Sequence, residues 1–538
     1  MEIKNNEVLP KGWISEDLVN IADKITKGST PTTYGFKFQN YGIRFIKTEN
    51  ILNGCVIHSS IKDFISEEAH YNQKRSILEI GDILFSIAGS IGVTCLVNEK
   101  DLPANINQAL AIIRGTQKVF IPKFIQYQLE SHLAKKQISH KARGGGMNNI
   151  SLEDVKRISV CIPPLNEQRR IVAKLEKLLA KVDTCKERLD KIPGILKRFR
   201  QSVLSAACSG RLTADWRENN PDVRSASDLL NHISIKRLEV IEKLPSRRSK
   251  TTQFINQKNQ EFESSERLPS TWKICRISDI GDVCNGSTPS RKCPEYWQGK
   301  INWVSSGEVQ NNLIFQTRET ITQEGYENCS VRLLPSGTVL LAMIGEGKTR
   351  GQTAILKIEA TINQNIAAVI LDHGLMSSEY LWYWFQLQYE ANRKSGSGSG
   401  PQALNCQRVR EIPLILPPFL EQQEIVRRVE TLFKTADQIE QRYQKARTYI
   451  DPLTQSILAK AFRGELVPQD PNDEPASVLL ERIRAEKENR ENVAKTAKKP
   501  AANKKQRSKK AQPQLEPKPQ LEPKPPLEPI QLELPLFE

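Results

Sequence analysis

The chain nearly repeats itself, and that duplication constrains its fold more than any other feature. Leu9-Pro10-Lys11-Gly12-Trp13 returns as Leu268-Pro269-Ser270-Thr271-Trp272, and Gly28-Ser29-Thr30-Pro31 returns as Gly286-Ser287-Thr288-Pro289. Farther along, Pro163-Pro164-Leu165-Asn166-Glu167-Gln168 answers to Pro417-Pro418-Phe419-Leu420-Glu421-Gln422, and Gln201-Ser202-Val203-Leu204 to Gln455-Ser456-Ile457-Leu458. The offset is nearly constant and far exceeds the few dozen residues of a solenoid repeat. Each copy is large enough to bury its own core, so the chain reads as two domain-plus-helix modules that present two related surfaces.

The first part of each copy has the texture of an α+β domain. Short apolar stretches predict strands at Ile43–Lys47, Asp82–Ile87, Val93–Val97 and Ala109–Arg114, answered by Ile301–Val304, Thr338–Ile344, Thr353–Leu356 and Ile366–Leu371. A helix is expected at Pro122–Lys136 and Ser378–Arg393, and each precedes a glycine loop, Gly144-Gly145-Gly146 or Gly396-Ser397-Gly398-Ser399-Gly400. The aromatic run Tyr380-Leu381-Trp382-Tyr383-Trp384-Phe385 shares its pattern with Phe124-Ile125-Gln126-Tyr127, which points to a buried helix face rather than a base-stacking platform.

A heptad pattern follows in both copies. Ile171, Leu175, Leu178, Val182, Cys185, Leu189 and Ile192 step by fours and threes, and Ile425, Val429, Leu432, Ala436, Ile439, Tyr443 and Ala446 repeat the steps. This is the a/d seam of a coiled coil. A helix from Leu165 to Ala207 would be on the order of 60 Å long, with Pro193 and Pro452 as expected kinks. The g positions are basic, Lys174, Lys181, Arg188, Arg428 and Arg442, so solvent or acidic surfaces should lie beside them.

These textures set the expected domains: 1–163 a first globular domain, 164–230 a first helical region, and 231–267 a charged linker with some helix. A second globular domain follows at 268–417, a second helical region at 418–490, and a disordered basic and proline-rich tail at 491–538. The tail repeats Leu515-Glu516-Pro517-Lys518-Pro519 as Leu521-Glu522-Pro523-Lys524-Pro525 and ends in Leu534-Pro535-Leu536-Phe537.

Composition bounds the chemistry. The 538 residues carry 78 Lys and Arg against 62 Asp and Glu, a formal charge of +16 that favours a polyanionic partner. Ten cysteines occur singly without zinc-ligand spacing, and no apolar run is long enough to span a bilayer, so a reducing cytoplasm is expected. Ala342-Met343-Ile344-Gly345-Glu346-Gly347-Lys348-Thr349 approaches a phosphate loop, but the next residues read as a strand where a helix is required. Leu416-Pro417-Pro418-Phe419 lacks the polar first residue of an adenine methyltransferase motif and reads as a helix-entry turn. No catalytic site, bound cofactor or metal is expected in this chain.

The Leu-Pro-x-x-Trp openings and Gly-Ser-Thr-Pro turns, with Ile162-Pro163-Pro164-Leu165-Asn166-Glu167-Gln168-Arg169-Arg170-Ile171-Val172 and Gln455-Ser456-Ile457-Leu458-Ala459-Lys460-Ala461-Phe462-Arg463-Gly464-Glu465-Leu466, resemble the specificity subunit of type I restriction-modification systems. The resemblance spans about residues 9–490. It implies two target recognition domains in tandem, each followed by a long helix, the helices forming an antiparallel coiled coil with a pseudo-two-fold relation. It also implies two methyltransferase subunits around the helices, restriction and translocase subunits outside them, and S-adenosylmethionine, ATP and Mg on those partners. The expected ligand is double-stranded DNA with two different half-sites separated by an unspecified gap.

Candidate DNA contacts lie in the loops after the Gly-Ser-Thr-Pro turns and around the glycine loops. They are Lys27, Thr30, Lys37, Lys47, Arg143 and Asn148 in the first domain, and Thr288, Arg291, Lys292, Lys348, Arg350, Arg393 and Lys394 in the second. Arg and Lys suit guanine edges or phosphates, and Asn suits adenine. Two other readings stay open: a coiled-coil adaptor that binds no DNA, and a self-contained DNA methyltransferase.

Overall fold

The computed structural model describes residues 9–115, 120–141, 149–243, 268–345, 348–372, 374–394 and 404–497. Of the tail expected at 491–538, residues 491–497 are instead the last turns of the helix Ala476–Ala497, whose composition favours helix, and 498–538 lie outside the described residues, as do both glycine loops. Contacts divide the chain into two units, Met1–Glu176 with Gln455–Glu538, and Lys177–Thr454.

In the first unit, strand β1 (Ile14–Asp17) pairs antiparallel with β9 (Ser159–Ile162), which joins the domain's two ends. Between them, β2 (Ala22–Lys27), β3 (Ile43–Ile46), β4 (Phe64–Ile65), β5 (Ile83–Ser86), β6 (Thr94–Leu96), β7 (Ala104–Ile106) and β8 (Leu110–Gly115) form two sheets. One has the order β2-β8-β5-β6 and the other β4-β3-β7, with β3 and β7 parallel. Every residue of β5 is buried, as expected of a central strand with a continuous apolar run. Helices α1 (Pro122–Glu130) and α2 (His132–Lys141) break at Ser131, where the sequence alone predicts a single helix.

The second unit repeats this plan. Strand β10 (Lys273–Arg276) pairs with β19 (Pro413–Leu416), and β11 (Gly281–Asn285), β12 (Trp297–Val304), β13 (Asn312–Ile314), β14 (Glu319–Ile321), β15 (Val339–Ala342), β16 (Thr353–Leu356), β17 (Thr361–Ile362) and β18 (Ile366–Leu371) lie between. Their sheets run β11-β18-β15-β16-β13 and β14-β12-β17. The extra strand β13 lies parallel to β16, whereas Ile51–Leu52 and Cys55–Val56 of the first copy pair only with each other. Helices α5 (Ser378–Leu387) and α6 (Tyr389–Lys394) break at Gln388. Tyr380, Leu381, Tyr383, Trp384 and Phe385 are buried, so the aromatic run is core. The loop resembling a phosphate loop connects β15 to β16, a strand-to-strand turn.

Two 44-residue helices, α3 (Leu165–Cys208) and α7 (Phe419–Phe462), start directly after the Pro-Pro pairs and continue through Pro193 and Pro452. One node explains the shared motifs. In the first unit the indole N–H of Trp13 donates to Glu167 at 3.1 Å, while Gln168 donates to the Pro163 carbonyl at 3.0 Å and accepts from the backbone N–H of Ile121 at 2.9 Å. In the second, Trp272 donates to Glu421 at 2.7 Å, and Gln422 donates to Pro417 at 2.9 Å and accepts from Ser377 at 3.0 Å. Each Glu-Gln pair thus ties the start of a long helix to its domain's opening tryptophan and to the start of its short helix. All four of these Glu and Gln side chains are buried, which demands such partners.

The segments after the long helices exchange domains. In the second unit α4 (Ala226–Lys243) buries Ala226, Leu229 and Ile233 with Trp272, Ile277 and Ile280. In the first unit α8 (Ala476–Ala497) buries Ala476, Leu479, Leu480 and Ile483. The anchors match: Ala226 N–H donates to the Thr271 carbonyl at 2.9 Å, and Ala476 N–H to the Gly12 carbonyl at 3.0 Å. Gly210 and Gly464 turn with φ of 79° and 75°, and a Cβ there would strike Pro269 or Pro10. The stretch read as a linker from Asn231 is therefore helix as far as Lys243, because Ile233 continues the apolar face of α4; residues 244–267 lie outside the description.

Within the second unit, α3 and α7 meet in antiparallel order. Arg200 contacts Asp437 at 2.8 Å and Glu440 at 2.7 Å, Arg447 contacts Asp190 at 2.5 Å, and Lys186 reaches Thr454 at 3.5 Å. Of the heptad seam, Ile171, Leu175, Val182, Ile425, Val429 and Ala436 are buried, Leu178, Leu189, Ile192, Leu432, Tyr443 and Ala446 are half-buried, and Cys185 and Ile439 are exposed. Among the basic flanking positions, Arg428 has the acidic neighbour anticipated for it, Asp215 at 2.7 Å, while Lys174, Lys181, Arg188 and Arg442 face solvent.

Candidate nucleic-acid interface

Each globular domain gathers four turns at one end of its central sheet through four backbone hydrogen bonds, of which the last three join equivalent positions in the two copies, while the first ties the Gly-Ser-Thr-Pro turn down at a different residue in each. In the first, the Gly28 N–H donates to Leu110 at 3.1 Å, Asn107 to Ile46 at 3.2 Å, Ile87 to Ala109 at 2.8 Å, and Ile150 to Ile87 at 3.0 Å. In the second, Ser287 donates to Ile362 at 3.0 Å, Asn363 to Val304 at 3.0 Å, Met343 to Asn365 at 2.8 Å, and Leu404 to Met343 at 3.2 Å. The Gly-Ser-Thr-Pro turn, the Ile-Asn-Gln turn, the glycine-bearing hairpin turn and the segment after the glycine-rich loop thereby become neighbours.

The glycine is required by close approach. A Cβ on Gly28 would lie 2.2 Å from the carbonyl oxygens of Ile106 and Asn107, and one on Gly286 would lie 1.7 Å from that of Ile362. The threonine two positions later donates its hydroxyl proton across the gap, Thr30 to Gln108 and Thr288 to Gln364. Pro31 and Pro289 are buried beneath the turn. The two glutamines escape motif inspection of either copy alone. The signal that finds them is the repeat of Ala104-Asn105-Ile106-Asn107-Gln108 as Ala360-Thr361-Ile362-Asn363-Gln364.

The expected contact residues divide into several environments. Lys27, at the end of β2, Lys37 and Lys292 are exposed. Lys47 is paired with Asp63 at 2.6 Å and lies 5.5 Å from the Phe38 ring centroid. Arg291 grips Glu319 through both terminal nitrogens, with its guanidinium 3.6 Å from the centroid of Trp297 and 5.2 Å from that of Trp303. The hydrogen bond from Arg291 holds the Glu319 carboxyl below its ordinary pKa. Asp63 and Glu319 each precede the second-sheet strand or lie at its start, β4 and β14, so the copies keep a cation, an aromatic ring and a carboxylate together while drawing the cation from different positions.

Near the second hairpin turn, Lys348 is exposed and its carbonyl accepts from the Tyr389 hydroxyl at 2.8 Å. Arg393 donates to that hydroxyl at 2.9 Å, and Arg350 is half-buried. Lys394 ends α6. Arg143 and Asn148 lie outside the described residues. The structure thus joins Thr30 and Thr288 to glutamine partners, connects Lys348 with Arg393 through Tyr389, and commits Lys47 and Arg291 to internal ion pairs. What the turns offer chemically is a cluster of amide, hydroxyl and cationic donors suited to acceptor-rich ligands.

All ten cysteines are free thiols. Among the described residues, no group of three or more His, Cys, Asp or Glu side chains is placed to hold a metal, and no helix is long and apolar enough to cross a membrane.

Comparison with known proteins agrees with this duplicated plan. The EcoKI specificity subunit of a type I restriction enzyme from Escherichia coli K12 is 29% identical over 496 residues, covering 89% of this chain and 96% of its own. The EcoDI specificity subunit, also from Escherichia coli, is 30% identical over 387 residues, 68% of this chain and 76% of its own. The solved HsdS subunit from Thermoanaerobacter tengcongensis superposes with a TM-score of 0.55 at 17% identity, covering 86% of this chain and all of that one, a likeness of fold. A chain from a solved structure concerned with assembly and conformational transition of the type I R-M system gives 0.59 at 18% identity, covering 85% and 99%. The family model described as the type I restriction modification DNA specificity domain matches twice, over residues 10–193 and 269–447, and the chain belongs to that family.

Proposed function

We propose that this chain is the sequence-reading and scaffolding subunit of a type I restriction-modification complex, acting in the cytoplasm on double-stranded DNA. The observation that carries this reading is the pair of similar turn clusters, which share three equivalent backbone bonds and the Thr–Gln hydrogen bond but are surrounded by different side chains. Two similar surfaces with different chemistry suit two different half-sites, so the target is bipartite and asymmetric. The antiparallel contacts between α3 and α7 support a continuous coiled coil that sets the gap between half-sites and carries two methyltransferase subunits, with restriction subunits outside. Methyl transfer and ATP-driven cleavage belong to those partners, which hold S-adenosylmethionine, ATP and Mg.

Long-read mapping of methylated adenines in cells that express the chain with its methyltransferase partner tests this directly. The expected result is one consensus with two unlike halves and a fixed spacer. Inserting four residues after Glu176 should change the spacer or abolish modification while leaving the bases of each half unchanged. Altered half-site bases would overturn the ruler role of the helices, and absence of DNA binding by the intact chain would favour an adaptor.

A further inference from the structure

Divergent copies that read different half-sites share certain exposed side chains, and those should touch what the two half-sites have in common. The turn clusters contain such a pair. Gln108 and Gln364 are exposed, occupy equivalent turns, and each accepts the hydroxyl proton of an equivalent threonine, Thr30 or Thr288. Their surroundings have drifted: Lys27 corresponds to Asn285 before the glycine, and Ala109 to Asn365 after the glutamine. Core packing accounts for the retention of Gly28, Pro31 and Ile106, which are buried, but it does not account for a glutamine in solvent.

The hydrogen-bond direction defines the chemistry on offer. Because the threonine proton is spent on the glutamine carbonyl oxygen, the amide nitrogen is turned away with two N–H donors, and neither amide nitrogen has a partner among the described residues. An exposed NH₂ group held in place by its neighbour suits a ligand made of acceptors. Base edges mix donors and acceptors and differ between half-sites, whereas phosphate oxygens only accept and are present at every step. We propose that the Thr30–Gln108 and Thr288–Gln364 pairs are sugar-phosphate contacts, placed alike in both domains so that each grips the DNA backbone while the divergent loops beside them read bases. This rests on the DNA-reading function proposed above.

The test uses the full chain co-purified with its methyltransferase subunits, and duplex DNA of random sequence and of the mapped target as probes. Gln108→Ala or Gln364→Ala should weaken binding to both duplexes about threefold to tenfold, the effect of losing one hydrogen bond. The slope of log affinity against log salt should be unchanged, because a neutral donor releases no counterion. Gln364→Lys should bind at least as tightly as wild type and steepen that slope by about 0.9, the increment for one more neutralised phosphate. The methylation consensus should stay the same in every variant.

A changed consensus would make the glutamines base readers and overturn the proposal. Loss of the methyltransferase subunit on gel filtration would make them partner contacts, and unchanged binding by both alanine variants would reduce the bond to a turn brace; either result overturns it too. If the wild-type complex itself bound neither duplex, the DNA-reading function would fall, an outcome distinct from failure of the glutamines alone.

Discussion

Trp272 and Glu421, remote in sequence, meet in the interior of the second unit, where the indole N–H donates to a carboxylate oxygen at 2.7 Å. The same carboxylate accepts from Thr213 at 2.7 Å and pairs with Arg217. A single buried Glu therefore binds the domain's opening strand region, the start of α7 and the segment that follows α3. Trp272→Phe keeps the ring's bulk but removes the donor. It should destabilise the second unit by about 1.5 to 3 kcal/mol, the range for a hydrogen bond to a charged group, as read by denaturant unfolding.

The exchange of post-helix segments makes a local prediction. Arg170 holds Asp473 at 2.7 Å, and Leu479, Leu480 and Ile483 are buried in the first unit. Ending the chain after Phe462 should raise amide exchange around Trp13 and β1, because that surface loses its cover. Exchange in β15 and β18 of the second unit should be unaffected. Equal loosening of both units would contradict the assignment of this segment.

Arg200 faces two carboxylates of α7, and all three side chains are partly exposed, so screening limits their value. Arg200→Glu should cost about 1 kcal/mol or less in the isolated chain. Adding Asp437→Arg should restore part of the loss, and a double-mutant cycle measures the coupling. Zero coupling would mean that these helices do not meet in solution as described.

Glu424 supplies an acid-dependent contribution. Hydrogen bonds from Arg427 and Arg428 hold its carboxyl down at about 2, against an ordinary 4.5. A lowered folded-state value means that the stabilisation is present above pH about 4.5 and is lost as pH falls through about 2. The difference in thermal midpoint between wild type and Glu424→Gln should accordingly be largest above pH about 4.5 and close by pH about 2. A difference that grew on acidification would reverse the sign and refute the assignment.

Sequence makes Arg291 a candidate contact to a guanine edge or a phosphate, and the fold engages its guanidinium with Glu319 and the Trp297 ring. Arg291→Ala should lower the stability of the second unit by about 1 kcal/mol, the scale of an exposed cation–π contact with its ion pair. The methylation consensus should not change. A new base preference at one position would restore Arg291 as a reader.

Much of this architecture was legible without coordinates. The strands Thr353–Leu356 and Ile366–Leu371 fall where their apolar runs place them, and both long helices begin at the Pro-Pro pairs, because local propensity and periodicity act over neighbouring residues. The short helices were read as continuous because nothing in the composition around Ser131 or Gln388 marks a break. The candidate site was only half legible. Thr30 and Thr288 stand in a recognisable motif, whereas Gln108 and Gln364 acquire meaning only when sheet pairing sets the two turns side by side.

The order of residues alone determined the duplication, the α+β texture of each domain, the heptad seam and the excess positive charge, since each is a property of neighbours or of simple counts. Tertiary structure decided which domain each post-helix segment covers, which cations are free and which are consumed by carboxylates, and what the Glu-Gln motif binds. Those outcomes depend on contacts such as Trp13 with Glu167 and Arg170 with Asp473, between residues far apart in the chain. Local propensity carries no information about such partners; burial creates the demand for them, and only the folded path of the chain determines who meets it.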